Sequence, residues 1–237
     1  MVTSSEVLGL SGTALALLCA WVCCYTTAHV VNTNMNPLVF AVSEYGAWKG
    51  SRPFIMACWW LIAAVAILDS VCVTLVLKAL LPQGISTQGV GGIVCLYIFA
   101  GARLLTSAFK TDVRVRPGFE SMVEANDGTA TVRTKDMSSS SASYVHLLGA
   151  IVSFVIITVA SREFASAFDS SDLVGTVLHD NYNLLNGFSW AIIATMILMI
   201  LSRWVGVFGL GERLFYVAHI GWLFALTITL VQFGRSI

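Results

Sequence analysis

The sequence has few charged side chains, and this shortage is its first informative property. Asp, Glu, Lys and Arg make up 11% of the 237 residues, against about 25% in an average soluble domain. With 57% hydrophobic residues and a mean hydropathy of +0.82, the chain could not cover a water-exposed surface. The composition therefore predicts an integral membrane protein.

The chain also lacks an excess of either charge. Its 13 basic and 13 acidic residues give a formal net charge of zero, whereas nucleic-acid-binding proteins carry clustered Lys and Arg that neutralise phosphates. We therefore expect no nucleic-acid partner. The sequence has no Gly-x-Ser-x-Gly motif, and none of its six cysteines stands in a Cys-x-x-Cys pair. Neither a serine-hydrolase elbow nor a zinc ribbon is predicted.

Six segments are apolar and long enough to cross a bilayer, because a hydrocarbon core of about 30 Å needs roughly 20 apolar residues in a helix. Pro, Gly and Asn residues in the connections mark where the helices end. The chain is thus predicted to be a single all-α, six-span membrane domain over residues 1–237. Its spans are residues 7–30, 53–81, 89–108, 143–162, 185–204 and 214–233.

The longest polar stretch connects the third and fourth predicted spans, at residues 109–144. It contains Asn126-Asp127-Gly128 followed by Thr and Val, a pattern typical of a hairpin turn, and a serine run from Ser138 to Ser141. We therefore predict a long polar loop that holds a small β-hairpin.

The basic residues are divided unevenly between the two ends of the predicted bundle. Ten of the 13 Lys and Arg residues fall at the end that carries the 109–144 loop, and three fall at the other. Cytoplasmic loops carry the excess of Lys and Arg, so the long loop is predicted to be cytoplasmic. An even number of spans then places both termini on the non-cytoplasmic or lumenal side.

One acidic residue lies inside a predicted span. Asp69 falls past the middle of the second span, where burying an ionised carboxylate in hydrocarbon costs at least about 2.5 kcal/mol. It would serve a small-solute or ion carrier as a proton or cation site. Alternatively, a Ser, Thr or Tyr hydroxyl of a neighbouring helix would satisfy it.

A second set of polar residues lies near the end of the bundle that carries the long loop. Its two arginines would pair with nearby carboxylates as a structural clamp, or would hold a lipid phosphate in fork geometry. We call this set the loop-end group and predict it as a lipid or partner site without a catalytic residue. Its members are His29, Arg103, Asp112, His146, Glu212, Arg213 and His219.

The histidines of the loop-end group leave two cofactor alternatives open. His29, His146 and His219 with Asp69 would form a zinc site like that of ceramidase-type intramembrane lipid hydrolases, although the chain lacks their His-x-x-x-His pair. His146 and His219 would alternatively ligate haem, as in b-type cytochromes, with nearby glycines admitting the macrocycle. A single histidine per helix is more often a hydrogen-bonded residue, so the prediction is no cofactor, with a bound lipid allowed.

Four short stretches carry a resemblance to a known family: Ser43 to Gly46 (SEYG), Phe109 to Asp112 (FKTD), His146 to Phe154 (HLLGAIVSF) and Gly209 to Trp222 (GLGERLFYVAHIGW). They resemble six-helix membrane proteins of unknown function, the domain of unknown function nine-nine-eight, similar in layout to the FRAG, DRAM and Sfk-like membrane proteins. The resemblance implies a compact six-helix bundle with no established reaction. Relatives show proline where this chain has Lys110. Residue by residue, the resemblance points to Asp112, His146, Glu212 and Arg213.

These observations favour binding and association over catalysis. We expect a non-catalytic multi-pass membrane protein that acts as an accessory or structural subunit, or as a lipid-binding component, of a membrane assembly. Its expected partners are membrane lipids and other membrane subunits. The alternatives are the metal-dependent lipid hydrolase, the haem-binding protein and the Asp69 carrier.

Overall fold

The computed structural model describes residues 2–31, 35–48, 50–109, 113–114, 132–133 and 140–237. Within these residues, six helices are long and apolar enough to span a membrane. They are α1 (Ser4–Val30), α3 (Arg52–Leu80), α4 (Thr87–Ala108), α5 (Ser141–Phe168), α7 (Tyr182–Ser202) and α8 (Phe208–Ser236). The short helices α2 (Val42–Tyr45) and α6 (Val177–Asp180) and a 3₁₀ turn at Ser171–Leu173 lie in the connections. The predicted six-helix membrane fold is confirmed.

Polar residues begin several of these helices by satisfying backbone N–H groups that have no partner in the first turn. The Thr3 hydroxyl accepts a hydrogen bond from the Glu6 backbone N–H, and the Glu6 carboxylate accepts one from the Thr3 N–H. Ser86 and Ser140 cap α4 and α5 in the same way through their hydroxyls. Proline in the first turn of α3 costs nothing because no N–H is needed there.

The six spans form a closed ring in chain order. Each spanning helix packs on the next, and α8 returns to α1. Helix α8 also contacts α3 and α5, and it is the most buried of the six spans. The side chains of α8 therefore form much of the interior of the bundle. Its first turns lie at the end of the bundle where α1 and α4 end and α5 begins.

Helices α4 and α5 are antiparallel neighbours with the most extensive contact in the bundle. A Cβ atom on Gly149 of α5 would lie 2.7 Å from the Thr106 hydroxyl and 3.2 Å from the Ala102 carbonyl oxygen of α4. One on Gly92 would lie 3.0 Å from the Phe164 ring. Small residues at these positions let the two backbones approach closely, as they do in other membrane bundles.

Two details differ from the sequence prediction. The strands β1 (Val113–Arg114) and β2 (Val132–Arg133) pair in parallel, whereas the two strands of a hairpin run antiparallel. The pairing therefore joins the two ends of the long loop, and the predicted Asn-Asp-Gly turn lies outside the described residues. The last span also begins six residues earlier than predicted, because Gly206 at a φ of +77° makes the preceding turn tight enough for α8 to start at Phe208.

Candidate functional site

The alternating direction of the helices brings the loop-end group to one end of the bundle. His29 lies in the last turn of α1, Arg103 near the end of α4, and His146 near the start of α5. Glu212, Arg213 and His219 occupy the first three turns of α8. The described members form two clusters at this end. Asp112 lies outside the described residues.

The first cluster is centred on Arg213, whose guanidinium joins three segments of the chain. Its Nη1 donates to the carbonyl oxygens of Phe40 (2.9 Å) and Gly209 (2.8 Å). Its Nε and Nη2 contact Nε2 of His29 at 3.2 and 2.9 Å. The Nδ1 of His29 lies 2.8 Å from the Tyr25 carbonyl oxygen, which can only accept, so Nδ1 carries the hydrogen and Nε2 accepts from Arg213.

Helix α2 and the chain before it pack against this cluster. Val42 donates its backbone N–H to the Glu212 carboxylate at 2.6 Å, and Leu210 donates to the Leu38 carbonyl oxygen at 3.0 Å. Tyr45 lies under the Arg213 guanidinium, 5.3 Å from ring centroid to Cζ, and its hydroxyl donates to the Met35 carbonyl oxygen. Burial raises the pKa of the Tyr45 phenol, while the Arg213 charge acts in the opposite direction.

We call residues 35–48 and their contacts with α8 the loop clamp. Its contacts are of the kind that the clamp alternative described, but its partners differ from the predicted ones. Arg213 contacts His29 and backbone carbonyls, and the Glu212 carboxylate accepts a backbone N–H of α2. The sequence could not reveal these partners, because backbone carbonyls and amides are present at every position.

The second cluster surrounds Arg103, which is 0% exposed. The guanidinium carbon lies 5.1–5.2 Å from the ring centroids of Phe99, Phe154 and Tyr216. The Arg103 Nη1 donates to the Tyr216 hydroxyl at 3.0 Å. Its Nε and Nη2 have no hydrogen-bond partner among the described residues. We call this cluster the arginine box.

Two histidines lie beside the arginine box. The His219 ring packs against Phe99 and Tyr216, two of the rings around Arg103, at centroid distances of 6.3 and 5.0 Å. His146 Nδ1 lies 2.8 Å from the Phe109 carbonyl oxygen, and His219 Nδ1 lies 2.9 Å from the Phe215 carbonyl oxygen. Within the described residues, the Nε2 atom of each ring is buried without a partner. The arginine box and the two histidines together therefore hold unused hydrogen-bond donors on Arg103 and unused acceptors on His146 and His219.

The cofactor alternatives do not fit this geometry. The described residues contain no group of three or more His, Cys, Asp and Glu side chains that could hold a metal ion, so the structure does not bring together the alternative zinc set of His29, His146, His219 and Asp69. Haem fits poorly for a different reason. Three aromatic rings pack within 5.0–6.3 Å of the His219 ring, and Gly149 and Gly221 pack on neighbouring helices without opening a slot.

Asp69 lies far from both clusters, in the half of the bundle away from the long loop. It is 0% exposed, and its two carboxyl oxygens lie 3.2 and 2.9 Å from the Thr227 hydroxyl of α8. The same hydroxyl lies 2.8 Å from the Leu223 carbonyl oxygen. The sequence left two roles open for Asp69, a carrier site and pairing with a hydroxyl of a neighbouring helix. The Thr227 contact is a pairing of the second kind.

Replacing Asp69 with asparagine should leave the stability within about 1 kcal/mol, because the amide keeps an oxygen and an N–H for Thr227. Replacing it with alanine should cost about 1–2 kcal/mol, since interhelical hydrogen bonds in membranes average about 0.6 kcal/mol and a small cavity adds to the loss. Unfolding in detergent, followed by circular dichroism, measures both. A loss above 3 kcal/mol for Asp69→Asn would contradict the Thr227 pairing as the role of Asp69.

Sequence reasoning missed several residues that complete these clusters. Tyr216 lies one turn from both Arg213 and His219 on α8, and this spacing of three residues was the available signal. Tyr45 lies in the SEYG stretch that carried the family resemblance, but nothing in that stretch indicated Arg213 as its partner. Thr227 gave no comparable signal, because it lies far along the chain from Asp69.

The fold and its polar loop end define an integral, multi-pass membrane protein built as a six-helix bundle. Residues 14–229 match the family described as protein of unknown function (DUF998), so the chain belongs to that family. The resemblance carried by the short sequence motifs is thus confirmed. No curated protein and no solved structure matches the chain significantly.

Proposed function

We propose that the protein is a non-catalytic accessory subunit of a membrane assembly and that it packs against a transmembrane helix of another protein through the outward face of α1. The observation that carries this proposal is the size of the side chains on that face. From residue 9 to residue 26, none of the exposed side chains of α1 is larger than valine. They are Gly9, Gly12, Thr13, Ala16, Cys19, Val22, Cys23 and Thr26.

The outward faces of other spans are built differently. On α5, the exposed positions within the span include Leu147, Leu148, Ile151 and Val155, which suit contact with lipid tails. Exposed leucines and isoleucines occur in the same way along α7. The small face is therefore a property of α1 and does not follow from membrane exposure in general.

Small residues favour contact between helices because they let the backbone of a second helix approach closely. Lipid tails do not need such a close approach. Atoms placed at the Cβ positions of Gly9 and Gly12 would meet nothing within 4 Å. These glycines are thus not needed for packing inside the bundle. A partner helix is the contact that would make use of them.

The orientation of the protein is part of the same proposal. The excess of Lys and Arg at the end that carries the long loop favours a cytoplasmic position for that loop. Both termini would then lie on the non-cytoplasmic or lumenal side. In sealed membranes, a cysteine placed after Ile237 should be protected from a membrane-impermeant maleimide applied to the cytoplasmic face, and labelling from that face without permeabilisation would contradict this orientation.

In-cell photo-crosslinking tests the α1 interface. A photoreactive amino acid at Ala16 should give one discrete crosslinked product, whereas the same group at Ile151 on α5 should not. Replacing Gly9 and Gly12 with leucine should reduce the Ala16 product at least tenfold, because the larger side chains hold the helices apart. The matched control is Gly187→Leu, since Gly187 also has open space around its Cβ position.

The bundle itself should tolerate these leucines, so gel filtration of both variants should show the wild-type elution volume. Equal products from Ala16 and Ile151, or no effect of the α1 leucines, would contradict the proposal. A product at twice the mass of the chain would assign the face to self-association and would also overturn the accessory role.

A further inference from the structure

The arginine box contains a positive charge whose hydrogen-bonding capacity is only partly used. Arg103 is fully buried, its described hydrogen bond is the one from Nη1 to Tyr216, and its Nε and Nη2 have no partner within the described residues. A buried arginine in a membrane span is unfavourable when its charge has no partner. A ligand that pairs with Arg103 would recover much of this cost.

The two unused nitrogens point to the chemistry of such a ligand. The N–H of Nε and the nearer N–H of Nη2 lie side by side on one edge of the planar guanidinium. This edge forms two parallel hydrogen bonds with a carboxylate or a phosphate. The aromatic rings around Arg103 attract its charge through their faces, but they offer no oxygen to these N–H groups.

The neighbouring histidines favour phosphate over carboxylate. The carbonyl partners of His146 and His219 can only accept, so each Nδ1 carries the hydrogen and each neutral ring has a bare Nε2 acceptor. Both Nε2 atoms are buried and unpartnered in the described part of the chain. A hydrogen phosphate or a phosphate monoester has oxygens for Arg103 and a hydroxyl for an imidazole, whereas a carboxylate has no hydroxyl.

We infer that Arg103, His146 and His219 form a binding site for a phosphate group that keeps a hydroxyl, carried either by a lipid phosphate monoester or by inorganic phosphate. The site lies inside the bundle near the end that carries the long loop. It is independent of the proposed α1 interface. Arg103 and His219 are 0% exposed and His146 is 3% exposed, so these side chains must move apart to admit the phosphate. Once bound, the phosphate exchanges slowly and remains with the protein during purification.

The test measures phosphorus in protein purified in a phosphate-free buffer with a phosphorus-free detergent. Wild-type protein, once denatured and extracted with chloroform and methanol, should release about one phosphorus-containing molecule per chain more than the Arg103→Lys variant releases. Phosphorus in the organic phase identifies a phospholipid, and phosphorus in the aqueous phase identifies inorganic phosphate. Native mass spectrometry of the intact protein gives the mass of the same molecule.

Arg103→Lys keeps the positive charge but loses the two parallel N–H donors of the guanidinium, so phosphate occupancy of the site should fall about tenfold or more. The matched control is Arg162→Lys. Arg162 also lies in a spanning helix, but its Nη1 already donates to Asn186 at 2.6 Å and its guanidinium stacks on Trp190. Lipid that only surrounds the bundle should be present in equal amounts in Arg103→Lys and Arg162→Lys. The difference in phosphorus between these two variants therefore measures binding at the site.

If Arg103→Lys does not fold, His219→Phe provides a second measurement, because it removes one acceptor and keeps an aromatic ring in an aromatic environment. Its occupancy should fall severalfold. Wild-type protein with no more phosphorus than Arg103→Lys or His219→Phe would overturn the inference. Equal phosphorus in Arg103→Lys, Arg162→Lys and wild type would overturn it as well.

Discussion

Replacing Arg213 with alanine is expected to lower the free energy of unfolding by about 2–4 kcal/mol, because hydrogen bonds to charged groups contribute about 1.5–3 kcal/mol each and are not additive. The variant loses the contacts that tie α8 to His29 and to the Phe40 carbonyl. The loop clamp should open, and residues 35–48 should become the first site of limited proteolysis. Arg213→Lys should fall between wild type and alanine, since an ammonium group cannot reach all of these partners at once.

Arg235→Ala is the control for this prediction, because Arg235 is an exposed arginine in the last turn of the same helix. It should unfold as the wild type does. A double-mutant cycle of Arg213→Ala with His29→Ala should give a coupling energy of about 1 kcal/mol, since the two side chains are in direct contact. Wild-type unfolding and proteolysis of Arg213→Ala would show that the clamp does not stabilise the bundle.

Replacing Gly149 with leucine is expected to lower the free energy of unfolding by about 3 kcal/mol or more, because extra atoms forced into a packed interface cost about 1–3 kcal/mol even in adaptable cores. The nearest atoms are poorly able to move. The Thr106 hydroxyl is held by its hydrogen bond to the Ala102 carbonyl oxygen, and two of the three closest atoms belong to the α4 backbone. Thermal unfolding in detergent and the yield of monodisperse protein measure the effect.

Gly187→Leu is again the matched control, because its Cβ position on α7 meets nothing within 4 Å. That variant should be at least as stable as the wild type, since leucine has the higher helix propensity. Similar stability for Gly149→Leu and Gly187→Leu would mean that α4 and α5 do not pack as closely as described.

The comparison of sequence and structure is most instructive at the two arginines. Their approximate depth in the membrane was predictable, because Arg103 lies near the end of an apolar span and Arg213 lies directly before the start of one. Their partners were not. Arg213 contacts a histidine 184 residues away and the backbone of a connection, and Arg103 lies among rings from three places in the chain.

The histidines illustrate the same limit. A shared depth made a zinc site conceivable, but histidines at one depth can face different directions around the bundle. His29 faces Arg213, whereas His219 packs against the rings around Arg103 and His146 contacts the end of α4. Rotation of each helix about its axis decides this, and rotation depends on packing with every neighbour.

The sequence by itself determined the medium, the number of spans and their approximate ends, because transfer of apolar residues into hydrocarbon and the need to pair backbone groups within each helix are local properties. It also determined the family. The tertiary structure alone decided that α8 is the most buried span, that Thr227 meets Asp69, and that two nitrogens of the buried Arg103 have no partner among the described residues. These features depend on which helices become neighbours and on how each is rotated, and such contacts between distant residues have no local pattern in the chain.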